Sequence, residues 1–286
     1  MIEIPSFQNI EDAALKGAIS IRDVVKIYDP KGLAVMAVDH CSLEISPGEI
    51  CMIVGPSGCG KTTLLKAIAG FHEISSGEIL LDNKFLCGPG QLKAKPGPDR
   101  VVVFQNGALF PWKTNIENVI FGPIMQGTMS RPIALEKARQ MMADSGLIGV
   151  EDSYPGEISS GMRRRVEIVR ALMNEPSVLL LDEPYRALDS LTKSVMHEAL
   201  LQIYYKNKTT IFFITHDIDE AIFLGHKVVV MTTRPCKPKK ILEVDIPHPR
   251  DYSVLTSRRY RELIEETIDS VHEEAEKAFA AGEKEG

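Results

Sequence analysis

The sequence predicts an α/β protein built on a mainly parallel β-sheet. Short segments that are apolar throughout, such as Ile50–Val54 and Val178–Leu181, alternate with longer segments of helical periodicity. Continuous apolar strands between helices are typical of a parallel sheet covered on both faces. A glycine-rich stretch, Gly55–Gly60, lies between the first of these strands and a predicted helix. Strand, loop and helix therefore follow one another in the order that a phosphate-binding loop requires.

Length and composition indicate one folded domain with subdomains. The chain has 286 residues, of which 44% are hydrophobic and 25% charged, as is usual for soluble globular proteins. Its formal net charge is −6. Nucleic-acid binding depends on clustered Lys and Arg that displace counterions, so we expect no nucleic-acid partner.

The first part of the chain is rich in predicted strands. We expect residues 1–18 to form an N-terminal extension, followed by strands at Ile19–Tyr28, Ala34–Ile45 and Ile50–Val54. A Pro30-Lys31-Gly32 turn separates the first two strands. The helix that follows the glycine-rich loop is predicted over Lys61–Ala69, where Leu64, Leu65 and Ile68 share one face.

The rest of the predicted domain, which spans 19–250 in all, alternates strands and helices. Short strands broken by glycine and proline are expected between Gly77 and Gln105, followed by a helical subdomain at about 110–173. Further elements are a strand at Val178–Leu181, a helix from about Ser190 to Tyr205, and strands at Thr210–Thr215 and Val228–Thr232. The remaining 251–286 form a predicted helical tail, amphipathic from about Ser253 to Phe279 and frayed at 282–286.

The cysteines and the hydropathy pattern bear on location. Five cysteines are present without a Cys-x-x-Cys pair, so neither a disulfide framework nor a zinc site is indicated, and we expect reduced cytosolic thiols. No run of 18 apolar residues occurs. If the protein serves a membrane, we expect it to do so from the surface, through a partner.

The glycine-rich stretch has the pattern G-x-x-x-x-G-K-[ST]. Glycines there let successive backbone N–H groups converge on phosphate oxygens beside a helix N-terminus. We expect Lys61 to reach the β- and γ-phosphates, Thr62 to place its hydroxyl on Mg²⁺ and Thr63 to add a phosphate contact. The predicted phosphate-binding residues are Gly55, Pro56, Ser57, Gly58, Cys59, Gly60, Lys61, Thr62 and Thr63.

Two consecutive acids end the strand that begins at Val178. Asp182 is suited to hold Mg²⁺, and Glu183, one residue further, is suited to polarise the water that attacks the γ-phosphate. An acidic turn before Pro184 is the alternative. The phosphate-binding loop in the same chain favours the catalytic interpretation.

Four further motifs resemble those of ABC ATPases. Glu157–Leu172 is similar to that family's signature segment with its following helix, and Ala187-Leu188-Asp189 to its D-loop. Gln105 is similar to the Q-loop glutamine and His216 to the switch histidine. All six motifs stand in the family's order between about residues 20 and 232. The resemblance implies a mainly parallel nucleotide-binding core with an antiparallel β subdomain and a helical subdomain.

The resemblance also implies a shared nucleotide site. In such a dimer of two identical chains, Ser159, Ser160, Gly161 and Asp189 would close on an ATP held by the other subunit. Ser159 and Ser160 can also cap the helix that starts near Gly161, which without the other motifs would be an ordinary capped helix. The arginines at 163, 164 and 165 are expected to lie mostly on a solvated helix face, and the lysines at 237, 239 and 240 to be surface charge.

Three polar or aromatic residues take roles from the resemblance. His216 would sense the γ-phosphate, although a buried structural histidine is the commoner case. Gln105 would contact Mg²⁺ or water and relay the nucleotide state to membrane subunits. Tyr28 would stack on adenine, with a core tyrosine as the alternative.

This sequence departs from the family pattern at three positions. Ser160 replaces the first of two glycines, Met162 a glutamine, and Arg186 a small residue. A missing glycine beside phosphate could slow hydrolysis modestly. Cys59, near a helix N-terminus, is expected to have a lowered thiol pKa.

Within the family, the chain most resembles importer ATPases for nitrate, sulfonate or taurine. The similar segments are Ala108–Trp112, Thr233–Pro235 and Asp245–Asp251. This implies transmembrane permease subunits, an indirect substrate-binding protein, and a peripheral position on the cytoplasmic face of the membrane.

Rival classes explain the sequence less well. An ABC-type ATPase of DNA repair needs long heptad arms, which are missing between Thr63 and Ser159. A switch GTPase should carry Asn-Lys-x-Asp, but Asn207 and Asn83 begin segments without the acid. A non-transport P-loop ATPase is the remaining alternative.

Overall fold

The computed structural model describes residues 15–29, 32–186 and 188–280. The expectations that concern 1–14, Pro30, Lys31, Ala187 and 281–286 lie outside the described residues. Two β-sheets, one of six strands and one of four, organise the described chain.

The six-stranded sheet is parallel except at one edge, as predicted. Its strand order is β10-β9-β3-β8-β7-β6, and only β10 runs antiparallel to its neighbour. The strands are β3 (Ile50–Val54), β6 (Arg100–Val103), β7 (Val178–Asp182), β8 (Thr210–Ile214), β9 (Lys227–Met231) and β10 (Pro238–Glu243).

The smaller sheet is antiparallel with the order β2-β1-β4-β5. It contains β1 (Ile19–Tyr28), β2 (Val35–Ile45), β4 (Ser76–Leu81) and β5 (Lys84–Cys87). The prediction for β1 is confirmed to the residue. The antiparallel sheet expected from the family resemblance is present.

Seven α-helices fall within the described residues. The region predicted as a helical subdomain, at about 110–173, contains three of them. The helices are α1 (Lys61–Ala69), α2 (Asn115–Gln126), α3 (Arg131–Asp144), α4 (Ser160–Leu172), α5 (Ser190–Asn207), α6 (Ile218–Leu224) and α7 (Arg258–Ala280).

Sequence reasoning missed α6 and β10. Helix α6 has seven residues, which is too short to display a helical period. Strand β10 carries two lysines in a half-exposed edge position, a composition that does not look like a buried strand.

The core lies on both faces of the large sheet. In β3, Cys51 and Ile53 belong to the cluster that includes α1 and the small sheet. Met52 and Val54 belong to the opposite cluster, which includes α5, α6 and α7. Alternate side chains of a strand point to opposite faces, so β3 holds both layers together directly before the glycine-rich loop.

The tail helix α7 is attached to the domain by buried charge. The Glu274 carboxylate is 1% exposed and accepts the Thr233 N–H at 2.9 Å. It pairs with Lys239 at 3.1 Å, and the Lys239 side chain is only 20% exposed. The expectation that Lys239 is simple surface charge is therefore wrong, because α7 covers it.

No helix in 15–29, 32–186 or 188–280 combines the length and the apolar character needed to cross a bilayer.

Candidate functional site

The glycine-rich loop follows β3 and leads into α1. Gly60, directly before the helix, has φ of 126°. A Cβ added there would lie 2.4 Å from the Ala37 carbonyl oxygen of β2. Only glycine fits this positive φ and this short distance to β2. The small sheet is therefore in direct contact with the loop.

Lys61 is folded over the loop. Its ammonium donates to the carbonyl oxygens of Gly55 and Pro56, each at 2.7 Å, and lies 3.9 Å from the Cys59 Sγ. The residue is 5% exposed. These contacts keep a positive charge at the centre of a ring of backbone groups, which suits binding of an anionic phosphate.

Thr62 and Asp182 meet beside the loop. The Thr62 hydroxyl donates to Asp182 Oδ1 at 3.0 Å. Burial raises the pKa of the Asp182 carboxyl, although the Thr62 hydrogen bond opposes this. A hydroxyl and a carboxylate supply oxygen ligands of the kind that Mg²⁺ prefers.

The Glu183 carboxylate is contacted by two predicted site residues, Gln105 and His216, and by Arg186, which departs from the family pattern. Its Oε2 is 3.2 Å from the Arg186 guanidinium, 3.5 Å from Gln105 Nε2 and 3.6 Å from His216 Nδ1. The Glu183 N–H donates to the Ile214 carbonyl oxygen at 3.0 Å, and its φ is 46°. The carboxylate is thus held at the carboxyl ends of β7 and β8, next to Asp182.

A pocket opens between this acid and the loop. It is lined by Gly55, Pro56 and Ser57 on one side and by Arg186 and His216 on the other. Val271 of the tail helix also lines it. The sequence carried no signal for that contribution, because nothing in α7 resembles a nucleotide-binding motif.

Tyr28 lies beside the loop and is surrounded by polar groups. Its hydroxyl is 2.7 Å from His72 Nδ1 and donates to the Thr63 hydroxyl at 3.4 Å. The Lys26 ammonium is 4.9 Å from the ring centroid, within range of a cation–π contact. Lys26 and His72 were missed by sequence reasoning, since each is a single residue outside any motif.

The signature segment begins α4. The Ser159 hydroxyl accepts the Met162 N–H at 3.2 Å and caps the helix. Ser160 is the first helical residue and makes no cap bond, so the expectation that both serines cap the helix is wrong. A Cβ added to Gly161 would lie 2.9 Å from Thr192 Cγ2, so this segment adjoins the start of α5.

Asp189 caps the N-terminus of α5, the helix end that Gly161 adjoins. Its carboxylate accepts the Thr192 N–H at 2.9 Å and the Thr192 hydroxyl at 2.6 Å. Within the described part of the chain, no hydrogen bond or ion pair links Asp189 or Ser159 to the phosphate-binding loop. The structure therefore brings the predicted site residues together in two groups.

The arginines of α4 are not a solvated face, which corrects that expectation. Arg163 donates to the carbonyl oxygens of Pro155 and Ile158, and Arg165 donates to Ser145 and Gly146. Arg164, described next, also donates to backbone carbonyl oxygens. The sequence alone does not place these carbonyl groups near the three arginines.

Arg164 joins α4 to the Q-loop. Its guanidinium donates to the carbonyl oxygens of Phe104 and Gln105, both at 2.7 Å, and to the Glu167 carboxylate at 2.5 Å. Burial raises the pKa of Glu167, although Arg164 opposes this. Glu167 and Arg170 also bind this segment, through the N–H and the carbonyl oxygen of Ala108, so α4 contacts the chain on both sides of Gln105.

Comparisons with known proteins agree with these motifs. The family model described as ABC transporter matches residues 38–186. An uncharacterised ABC transporter ATP-binding protein of Methanocaldococcus jannaschii is 41% identical over 250 residues, covering 87% of this chain and 91% of the relative. The aliphatic sulfonates import ATP-binding protein SsuB of Bacillus cereus (strain ZK / E33L) is 40% identical, covering 81% and 88%.

A solved structure shows the same fold. It is a dimeric, post-hydrolysis state of an ATP-binding cassette bound to ADP and Pi. It matches with a TM-score of 0.68 and 27% identity, and the match covers 80% of this chain and all of the other.

Proposed function

The chain belongs to the ABC transporter family as an ATP-binding, ATP-hydrolysing subunit, and on that premise we propose that a dimer of it powers import of a small anion. The observation that carries the proposed mechanism is the convergence of Gln105, His216 and Arg186 on the Glu183 carboxylate beside the loop. This arrangement matches a site in which one carboxylate activates water for attack on a phosphate.

In this proposal the loop binds ATP through its backbone and Lys61. The Lys61 ammonium exchanges its bonds to Gly55 and Pro56 for the β- and γ-phosphate oxygens, while Tyr28 offers its ring to the adenine. Thr62, Asp182 and Gln105 would hold Mg²⁺, which neutralises developing charge on the phosphates when bound. The Thr62–Asp182 hydrogen bond supports this proposal, because it places the two oxygens 3.0 Å apart.

Glu183 then accepts the proton of the attacking water. His216 lies 3.6 Å from its carboxylate, close enough to turn toward the γ-phosphate instead. Among the described residues, the pocket beside the loop is lined by none of Ser159, Ser160, Gly161 or Asp189. We therefore propose that a second copy supplies them, so that two chains enclose two ATP molecules.

Substitution of the proposed base tests this mechanism. We expect Glu183→Gln to bind ATP but to hydrolyse it about 10²- to 10⁴-fold more slowly, the range for loss of a general base. Hydrolysis is measured by phosphate release from the chain assembled with its permease, and binding by titration of the purified chain. Glu198→Gln, on the outer part of α5, is the matched control. Near-normal turnover of Glu183→Gln would exclude Glu183 as the base.

The permease is proposed to dock on the groove beside Gln105. Phe71 and Phe104 are exposed there and stack at 5.9 Å, and Trp112 is 70% exposed nearby. Exposed aromatic side chains in a cluster are typical of protein interfaces. We expect this surface to face the membrane from the cytoplasmic side.

Co-purification tests the docking surface. Trp112→Ala should reduce the recovery of permease subunits with the tagged chain, because a large apolar contact is lost. Phe85→Ala, which removes an exposed aromatic side chain from β5 (48% exposed), should leave recovery unchanged. Equal recovery with both variants would place the permease elsewhere.

The transported solute is proposed to be a small anion such as a sulfonate, taurine or nitrate. The support is the name of the Bacillus cereus relative together with the segments that resemble importers of this type. The chain itself does not hold the solute, so a substrate-binding protein must supply it. Binding of alkanesulfonates, taurine and nitrate by the cognate binding protein, measured by calorimetry, tests this; binding of an uncharged sugar instead would overturn it.

A further inference from the structure

Two buried thiols lie side by side under the phosphate-binding loop, and neither takes part in the proposed reaction. Cys59 belongs to the loop, and Cys236 belongs to the segment 232–236 between β9 and β10. The two side chains are in hydrogen-bonding contact. Both are fully buried in one hydrophobic cluster.

The backbone holds the two thiols in this position from both sides. The Cys236 N–H donates to the Ala37 carbonyl oxygen at 2.9 Å, and its own carbonyl accepts the Asp39 N–H at 3.1 Å. On the loop side, a Cβ added to Gly60 would lie 2.8 Å from the Cys236 Cβ. Arg234 also donates to the Gly58 carbonyl oxygen at 2.8 Å. The loop and the segment 232–236 therefore touch along several residues.

We propose that Cys59 and Cys236 form a reversible disulfide that makes the phosphate-binding loop sensitive to hydrogen peroxide. The Cys59 sulfur attacks one peroxide oxygen, an S–O bond forms, the O–O bond breaks and hydroxide leaves. The Cys236 sulfur then attacks the Cys59 sulfur, the S–S bond forms, and the oxygen leaves as water. Two thiols and one peroxide thus become one disulfide and two waters, and a small thiol reductant reverses the change.

The surroundings make Cys59 the first of the two to react. The hydrogen bond from Cys236 and the nearby Lys61 ammonium lower its thiol pKa to about 7, against the opposing effect of burial. Cys41, in the same cluster, has its pKa raised to about 12 by burial. Peroxide reacts with thiolate and hardly with thiol, so the chemistry is confined to the loop.

Burial makes the reaction depend on the loop. Peroxide, which is little larger than water, reaches Cys59 only when the loop moves away from the segment 232–236. A nucleotide bound to the loop opposes that movement, so ATP should slow oxidation. Once formed, the disulfide ties the loop to the segment and prevents the same movement, which we expect to reduce ATP turnover.

The disulfide is tested on the reduced, full-length chain. The protein is treated with hydrogen peroxide, its remaining thiols are blocked, and it is digested after both acidic and basic residues. Fragment sequencing by mass spectrometry should identify a peptide that joins Cys59 to Cys236 and that disappears after reduction. This peptide should form more slowly in the presence of ATP.

Variants separate the disulfide from general oxidation. Cys236→Ala should lose the cross-linked peptide and keep its ATP turnover after peroxide treatment. Cys41→Ala, the control, should behave as the unsubstituted protein does. If Cys236→Ala does not fold, Cys236→Ser is used in its place. The proposal is overturned if peroxide joins Cys236 to Cys41 or Cys51, or if Cys59 is oxidised without a cross-link. The cross-link is read without an activity assay, so its outcome is independent of the proposed transport function.

Discussion

At the scale of single residues, the most unusual feature is the pairing of Glu183 with Arg186. The guanidinium lies 3.2 Å from Glu183 Oε2 and is 47% exposed. A small residue at this position, which is common in the family, could not make the contact. The pairing holds the carboxylate of the proposed base against Arg186.

We expect Arg186→Ser to raise turnover at saturating ATP. An exposed ion pair is worth about 0–1 kcal/mol, so the increase should be at most about fivefold. The measurement is steady-state ATP hydrolysis, with Arg258→Ser, whose side chain is 91% exposed on α7, as the control.

The dependence of the rate on ATP concentration separates this role from ATP binding. If Arg186 restrains Glu183, Arg186→Ser should raise kcat and leave the KM for ATP unchanged, and Arg258→Ser should change neither. A lower turnover for Arg186→Ser with a raised KM would instead assign Arg186 to ATP binding.

Alkylation should show the reactivity of Cys59 directly. Its pKa is lowered to about 7, chiefly by the hydrogen bond from Cys236. The thiolate fraction increases as the pH rises through that value, so labelling by iodoacetamide should increase between about pH 6 and pH 8. ATP should protect Cys59, and Cys41 should remain unlabelled throughout. Equal labelling of Cys59 with and without ATP would contradict its position under the bound phosphates.

At the scale of elements, α4 shows that only one of two adjacent serines caps the helix. Ser159 and Ser160 are chemically identical, yet only Ser159 has the extended backbone that lets its hydroxyl reach the Met162 N–H. Capping depends on that backbone conformation and not on residue type alone.

Matched substitutions should separate the two serines. Ser159→Ala is expected to lower the free energy of unfolding by about 1 kcal/mol through loss of the cap. Ser160→Ala should change it little, because the Ser160 side chain makes no cap bond. Urea unfolding followed by circular dichroism measures both, and equal effects would disprove the assignment.

Helix α7 carries one fully buried carboxylate, Glu274. Glu274 accepts the Thr233 N–H and pairs with Lys239 and Lys277, at 2.9, 3.1 and 2.6 Å. Its position brings Val271 to the pocket beside the phosphate-binding loop. The tail is therefore coupled to the nucleotide site through packing.

We expect Glu274→Ala to loosen α7. Removing the carboxylate leaves a buried N–H and a mostly buried ammonium without this partner, which should cost about 1–3 kcal/mol of unfolding free energy. Glu276→Ala, two residues on and 69% exposed, is the control. Hydrogen exchange should increase in α7 for Glu274→Ala alone; unchanged exchange would show that apolar contacts suffice to hold the helix.

At the scale of the whole molecule, the separation of the two site groups is decisive. The loop with Glu183 and His216 forms one group, and Ser159, Gly161 and Asp189 form another near the start of α5. We propose that a site divided in this way is completed when two copies meet, because each would supply what the other lacks.

Nucleotide should therefore control the association of two chains. With Mg²⁺ and ATP, Glu183→Gln should sediment as a dimer, since ATP remains uncleaved between the subunits. The double variant that also carries Lys61→Ala should stay monomeric, because the loop loses its phosphate contact. Analytical ultracentrifugation distinguishes the two, and a Glu183→Gln monomer at saturating ATP would contradict the shared site.

The sequence alone determined the motifs, their order and most elements. Lys61, Asp182 and Glu183 were identifiable because each stands at a strand or helix end whose apolar pattern is local. The parallel sheet was predictable for the same reason. The sequence did not predict the short helix α6, the charged edge strand β10 or the contacts that join distant parts of the chain.

Only the tertiary structure decided which residues meet around the loop. Cys236 reaches Cys59, and Val271 reaches the loop pocket, because β9 lies directly beside β3 in the large sheet. Arg186 reaches Glu183 because the backbone turns at a positive φ after β7. Strand order and such turns are set by packing of the whole chain, which leaves no period or motif in the local sequence. The motifs therefore carry the residues proposed for the chemistry of the site, and only the fold brings neighbouring segments into contact with them.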